Sequence, residues 1–211
     1  MELTLEDKTN ILLGLFVSLI ISANLLGNKI TTFMGISFAV GIFIYPFTFV
    51  ITDVIEEVLG VKKVKVFVIT GLIALIMVLL YTLLAIYLPP AARFDYNSEF
   101  ARVFGMSARI IGASIIAFII SQTHDMFAFN FWKKKTHGKY LWLRNNLSTI
   151  VSQFIDTTMF MFLAFYQMTP KFTAIFVFSL IIPYWLLKVL IAVIDTPLCY
   201  VGVKWLKGKS A

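Results

Sequence analysis

Six long apolar stretches divide the chain, at 11–28, 36–52, 65–88, 108–131, 147–168 and 172–206. A helix needs about 20 mostly apolar residues to cross a hydrocarbon core of about 30 Å. The first five stretches each read as one span. The last is too long for one upright span, because a helix rises about 1.5 Å per residue. It is either one tilted helix kinked at Pro183 or two short segments. Residues this apolar must bond their own backbone internally, and continuous runs favour helices over the alternating strands of a barrel.

Composition agrees. The chain is 60% hydrophobic and 14% charged, against about 45–50% and about 25% for a soluble domain. That excludes a soluble enzyme, a nucleic-acid-binding domain and a disordered tail. The net charge of +7 then reads as cationic loops holding topology rather than as a nucleic-acid footprint. With six spans and the N-terminus inside, twelve basic residues fall on the inner side: Lys8, Lys62, Lys63, Lys65, Lys133, Lys134, Lys135, Lys139, Arg144, Lys204, Lys207 and Lys209. Five fall outside: Lys29, Arg93, Arg102, Arg109 and Lys171. Seven spans would nearly erase the bias. The expected fold is an all-α membrane protein, a six-transmembrane-helix bundle forming one domain over 1–211 in the cell's inner (plasma) membrane, with both termini cytoplasmic.

The N-terminal segment Met1–Asn10 is acidic and has neither the basic n-region nor the cleavage site of a signal peptide, so the first stretch is expected to stay as a span. Cys199 is the single cysteine, which leaves no disulfide framework. No metal site is expected from two histidines, one in a span and one in a loop, and no cofactor motif is visible. The segment 89–107 is the longest outer connection and a candidate lid.

Acids inside the apolar stretches are more informative. Asp53, Glu56, Glu57, Asp125, Asp156 and Asp195 lie at or within spans, and Lys188 lies within the last one. Asp125, Asp156, Asp195 and Lys188 together would cost on the order of 10 kcal/mol on insertion scales. Such groups persist when they face one another, water or a ligand, so a polar central cavity is the expectation.

Spacing supports it. Ser121-Gln122-Thr-His-Asp125 and Ser152-Gln153-Phe-Ile-Asp156 repeat one pattern, S-Q-x-x-D, on adjacent spans. Gln and Asp at i, i+3 share a helix face. Lys188 and Asp195 share a face two turns apart, as a neutralised structural pair or as part of the site. Asp53 with Glu56 or Glu57 is either a third polar set or a solvated helix end before Lys62. Span three, 65–88, is nearly all apolar and is expected to face lipid.

A carboxylate beside a carboxamide offers several acceptors and one amide donor pair. Its natural partner is a guanidine-like edge, as in a guanine ring, or an ammonium. No nucleophile–base pair, zinc motif or Walker motif is present, so ATP hydrolysis by this chain is not expected.

Five segments resemble the queuosine precursor transporter family, also called the vitamin uptake transporter family. They are Asn24-Leu-Leu-Gly-Asn-Lys29, Pro46–Gly60 with Asp53 and Glu56, Ser121–Asp125, Leu143–Thr157, and Lys188–Pro197. They occur in family order along nearly the whole chain. The resemblance implies import of 7-deazaguanine precursors for tRNA modification: the cyano base, the aminomethyl base or queuine. It also implies a purine-like small-molecule substrate, the lipid bilayer as surroundings, no nucleic-acid partner, and a size and layout similar to substrate-binding subunits of energy-coupling-factor transporters. A homo-oligomer is left open. The family's polar positions fall on Asn24, Lys29, Asp53, Glu56, Gln122, Asp125, Arg144, Asn145, Gln153, Asp156, Lys188 and Asp195. His124 departs from the family pattern, which has an apolar residue there. Two other classes stand beside a lone carrier: a binding subunit that needs a separate ATPase, and an intramembrane aspartyl hydrolase using Asp125 and Asp156.

Overall fold

A computed structural model describes the backbone over 3–33, 36–136, 141–194 and 196–208. Side chains at 33, 36, 37, 122, 125, 126, 129, 130, 133, 141–149, 189, 191–194 and 196 lie outside the described residues. The protein is an all-α membrane protein with one small hairpin. In order come α1 (Leu5–Leu26), β1 (Ile30–Phe33), β2 (Ile36–Ala39), a 3-10 turn (Val40–Phe43), α2 (Tyr45–Leu59), α3 (Val61–Tyr87), α4 (Asn97–Lys135), α5 (Leu141–Phe165), α6 (Ala174–Ile194) and α7 (Thr196–Lys207). Among the described residues, three helical segments are long and apolar enough to cross a membrane: Leu5–Leu26, Val61–Tyr87 and Asn97–Ser121. Ile150–Phe165 and Ala174–Lys188 are shorter apolar helices.

The chain divides into two compact units, residues 1–111 with 187–211, and residues 112–186. In the first unit, α1 starts from a reciprocal cap. Thr4 Oγ1 accepts from the Asp7 amide at 3.1 Å, and Asp7 Oδ2 accepts from the Thr4 amide at 2.9 Å. Together they satisfy donors that the first helical turn leaves unpaired. Lys8 Nζ donates to the Trp205 carbonyl at 2.7 Å and lies over the Trp205 ring, placing a cation at the negative C-terminal end of α7.

Two expectations change here. The stretch 36–52 is not one span. Ile36–Ala39 pairs antiparallel with Ile30–Phe33, closing with the Val40 amide on the Lys29 carbonyl at 2.8 Å. The β-branched Ile30, Thr31 and Thr32 suit a strand better than a helix. Helix follows only from Tyr45, with Pro46 in its first turn, where a missing N–H costs nothing. α2 stops at Gly60, whose φ of 77° favours glycine. Its 15 residues extend about 22 Å, short of a full crossing. Nor is 89–107 wholly a loop. Helix α4 begins at Asn97, with Glu99 in its first turn favoured by the helix dipole.

The last apolar stretch is two helices, α6 and α7, with Pro183 inside α6 and Pro197 in the first turn of α7. Pro183 removes one i→i−4 backbone bond from α6.

The first unit's core is Phe16, Ile51, Val54, Ile55, Phe67 and Leu206, drawn from α1, α2, α3 and α7. Phe16 and Phe67 rings meet at 5.9 Å. α3 buries the stripe Phe67, Gly71, Leu75 and Thr82, while Ile69, Ile73, Leu80 and Leu84 are exposed around the rest of it. An apolar helix that buries one stripe and exposes the remainder fits a lipid-facing element. Close approach depends on small residues, as membrane helices require. A Cβ added at Gly71 would stand 2.9 Å from the Phe16 ring, and one at Gly202 would stand 2.6 Å from Val54 Cγ2.

Val54 is buried and stiff at χ1, so it cannot give way cheaply. Gly202→Ala is therefore expected to destabilise the folded protein by about 1–3 kcal/mol, the usual range for overpacking. Gly14→Ala, where nothing lies within 4 Å, serves as control. The check is the fraction of detergent-solubilised protein that stays monodisperse after a heating series. Equal curves for the two variants would refute the close α2–α7 seat.

Candidate functional site

The first unit buries the Asn24 carboxamide completely. Asn24 sits less than one turn before Gly27 ends α1 and has no solvent exposure. Its Nδ2 donates to the Ile20 carbonyl at 2.8 Å and to the Tyr45 hydroxyl at 3.4 Å. Its Oδ1 is buried without a partner among the described residues. One turn further on, Asn28 Nδ2 donates to Ser107 Oγ at 3.0 Å and to the Val103 carbonyl at 3.1 Å. Ser107, itself buried, passes its proton on to the Leu25 carbonyl at 2.9 Å. This clasp ties the end of α1 to the start of α4 and joins Asn28, which the sequence shows within a family motif, to Ser107, which no motif contains.

Lys29 is exposed at the start of the hairpin and is not joined to Asn24. Asp53, Glu56 and Glu57 are exposed along α2, on the side away from buried Val54 and Ile55. Lys188 is half-buried in the unit-one part of α6. Asp195, which was expected to pair with it, lies outside the described residues.

The second unit holds both S-Q-x-x-D patterns. α4 and α5 run antiparallel here, joined by two side-chain bonds. Ser121 Oγ, on α4, reaches Asp156 Oδ1 on α5 at 3.4 Å. His124 Nδ1 and Ser152 Oγ lie 3.0 Å apart. Each pattern thus contacts the other: the serine of the first meets the aspartate of the second, and the serine of the second meets the histidine of the first. Ser121 and Ser152 are buried, so these bonds form away from solvent. Both serines were visible in the pattern but were passed over in favour of Gln and Asp. His124, the departure from the family pattern, has a polar partner on α5.

Gln153 and Asp156, one turn apart on α5, come together on the half-buried side of the helix. Thr157 Oγ1 holds the Gln153 carbonyl at 2.8 Å. The Gln153 side-chain Oε1 is buried without a partner among the described residues. So is Nε1 of Trp185 on α6, whose ring meets Phe154 edge-on at 5.8 Å. The sequence reading did not single out Trp185. A buried polar atom left unpaired costs about 1–3 kcal/mol, and native structures carry few of them. Gln122, Asp125 and Asn145 lie on α4 and α5, with side chains outside the described residues. Among the described residues no group of acids, histidines and cysteines is arranged to hold a metal.

Residues 39–202 match the family described as "Putative vitamin uptake transporter". The chain is 29% identical to a Bacillus subtilis (strain 168) protein named "Probable queuosine precursor transporter", over 91% of this chain and 84% of that protein. It is 26% identical to the Escherichia coli (strain K12) "Queuosine precursor transporter", over 86% of this chain and 80% of that protein. No solved structure matches it.

The His124–Ser152 bond is testable by a double-mutant cycle. His124→Ala and Ser152→Ala should each lower heat resistance in detergent, and the double variant should be little worse than either. A coupling of about 0.6–1.7 kcal/mol is the range seen for hydrogen bonds between membrane helices. Strict additivity would show that the bond contributes nothing.

Proposed function

The chain belongs to the "Putative vitamin uptake transporter" family, and on that premise we propose that it is a multi-pass carrier that imports a queuosine precursor, a 7-deazaguanine base, for tRNA modification. The observation that carries the reading is in the second unit. Asp156 is held by Ser121 one turn from Gln153, whose buried Oε1 has no partner among the described residues. Carboxylate and carboxamide oxygens accept from N–H groups, and a guanine-type edge supplies two of them side by side. The names of the two relatives support the same substrate class.

In this reading Gln122, Asp125, Gln153 and Asp156 hold the base edge, and Asn145 adds to that polar set. Within the first unit, Asp53 and Glu56 act as a gate, Lys188 neutralises Asp195 in the empty carrier, and Asn24 and Lys29 complete the polar set. The carrier lies in the inner membrane with six spans and both termini cytoplasmic. Its partners are the purine-like substrate and the bilayer, with no nucleic acid, and it is open to self-association. It works without a separate ATPase and performs no hydrolysis.

The test is uptake of labelled precursor by cells that cannot make it. Asp156→Asn and Asp125→Asn, at unchanged membrane levels, are expected to lower uptake about ten- to a hundredfold. That matches a hydrogen bond to a charged group of about 1.5–3 kcal/mol. Normal uptake by both variants overturns the site. Absence of uptake by the wild type overturns the function, and loss of uptake on deleting an ATPase partner overturns the lone carrier.

A further inference from the structure

Toward the N–H groups of the base edge, Asp125, Asp156, Gln122 and Gln153 offer acceptor oxygens. The second unit also contains a donor with no use. Trp185 Nε1–H is buried and unpartnered among the described residues. Indole nitrogen can only donate, and a buried tryptophan N–H ordinarily finds an acceptor. The ring is held in place: Phe154 packs edge-on against it at 5.8 Å. Phe154 follows Gln153 in the chain, so the orphan donor is carried on a ring packed beside the segment that bears the orphan acceptor. Trp185 also comes two residues after Pro183, where the backbone ladder of α6 is interrupted. Proline-interrupted apolar helices are where secondary transporters place substrate.

We propose that Trp185 is a specificity-determining residue that donates its indole N–H to a ring carbonyl of the substrate, while Gln153 Oε1 accepts from the adjacent ring N–H. Donor and acceptor together recognise a lactam edge, the C=O next to N–H of a 6-oxo purine-type base. The inference rests on the transport reading and narrows it. A 6-amino base presents an N–H₂ donor where the carbonyl would be, and two donors then face each other. The 6-amino base is rejected because the indole and the amino group are both left unpaired, which discriminates far more strongly than a difference in size. Asp156, held by Ser121, faces the amino side of the same ring in this reading.

The experiment is equilibrium binding to the purified full-length protein in detergent, with two probes: 7-deazaguanine, and 2,6-diamino-7-deazapurine, which replaces the 6-oxo group with an amino group. Wild type is expected to prefer the 6-oxo base by at least about tenfold. Trp185→Phe, which keeps an aromatic ring against Phe154 and removes only the donor, is expected to lose part of that preference, the part read at the 6-position, while Gln153 still reads the ring N–H that the diamino base lacks. In the absence of ligand it should resist heat at least as well as wild type, because the unpaired donor is gone. Equal affinity of wild type for the two probes overturns the proposal without needing any variant. A preference undiminished in Trp185→Phe overturns it too. If wild type binds neither probe, it is the transport reading that has failed, and the Asp156→Asn uptake result distinguishes the cases.

Discussion

Hydrocarbon offers no hydrogen bonds, and every other feature of this protein follows from that. Backbone groups must be satisfied within helices, which is why the apolar stretches coil rather than lie extended. Burying apolar side chains gains little when the alternative is a lipid tail, so helices hold together through close fit and through polar bonds between them. The first unit uses both. Gly71 admits the Phe16 ring and Gly202 admits Val54, while the Asn28–Ser107–Leu25 chain joins α1 to α4. Among the described residues the two strands, Ile30–Phe33 and Ile36–Ala39, pair with each other.

The same constraint makes polar atoms in the second unit informative. Ser121 with Asp156 and His124 with Ser152 account for the hydroxyls, and these bonds set α4 against α5. They position Gln153 and Asp156 one turn apart on a helix whose next neighbour is α6, through Phe154 and Trp185 and again through Phe162 and Phe178 at 4.9 Å. Polar groups bonded within the protein and the polar groups proposed for the substrate are thus interleaved on one helix. Ser152 and Thr157 are satisfied within the protein, and Gln153 Oε1 between them has no partner among the described residues.

Much of the architecture was legible in the sequence because long apolar runs leave little choice. α1, α3 and α5 fall close to their expected bounds, and the break of the last stretch into two was one of two alternatives already in view. The misreadings share a cause. Counting apolar residues cannot distinguish a β-hairpin of Ile, Thr and Phe from the start of a span, and so 36–52 was read as one helix. Polarity likewise made 89–107 look like loop, although Asn97-Ser98-Glu99 is a good helix beginning. In the site, the S-Q-x-x-D spacing pointed at Gln153 and Asp156. Trp185 gave no such signal, because a tryptophan in an apolar stretch reads as a belt residue; only its buried, unpaired N–H sets it apart.

A carrier must release what it binds, and that limits how well its empty site can be satisfied. If Gln153 Oε1 and Trp185 Nε1 were paired internally, a base would have to break those bonds on entry, and its polar edge would gain little. If they were fully hydrated, the base would have to displace water from each. Buried and unpaired, both groups raise the free energy of the empty protein, and a ligand that satisfies them lowers it by removing strain already present. Binding can then be selective without being tight, since the wrong edge leaves the penalty in place while the right edge only cancels it. The unsatisfied pair is therefore better suited to passage than to storage, which is the requirement that separates a transporter from a binding protein.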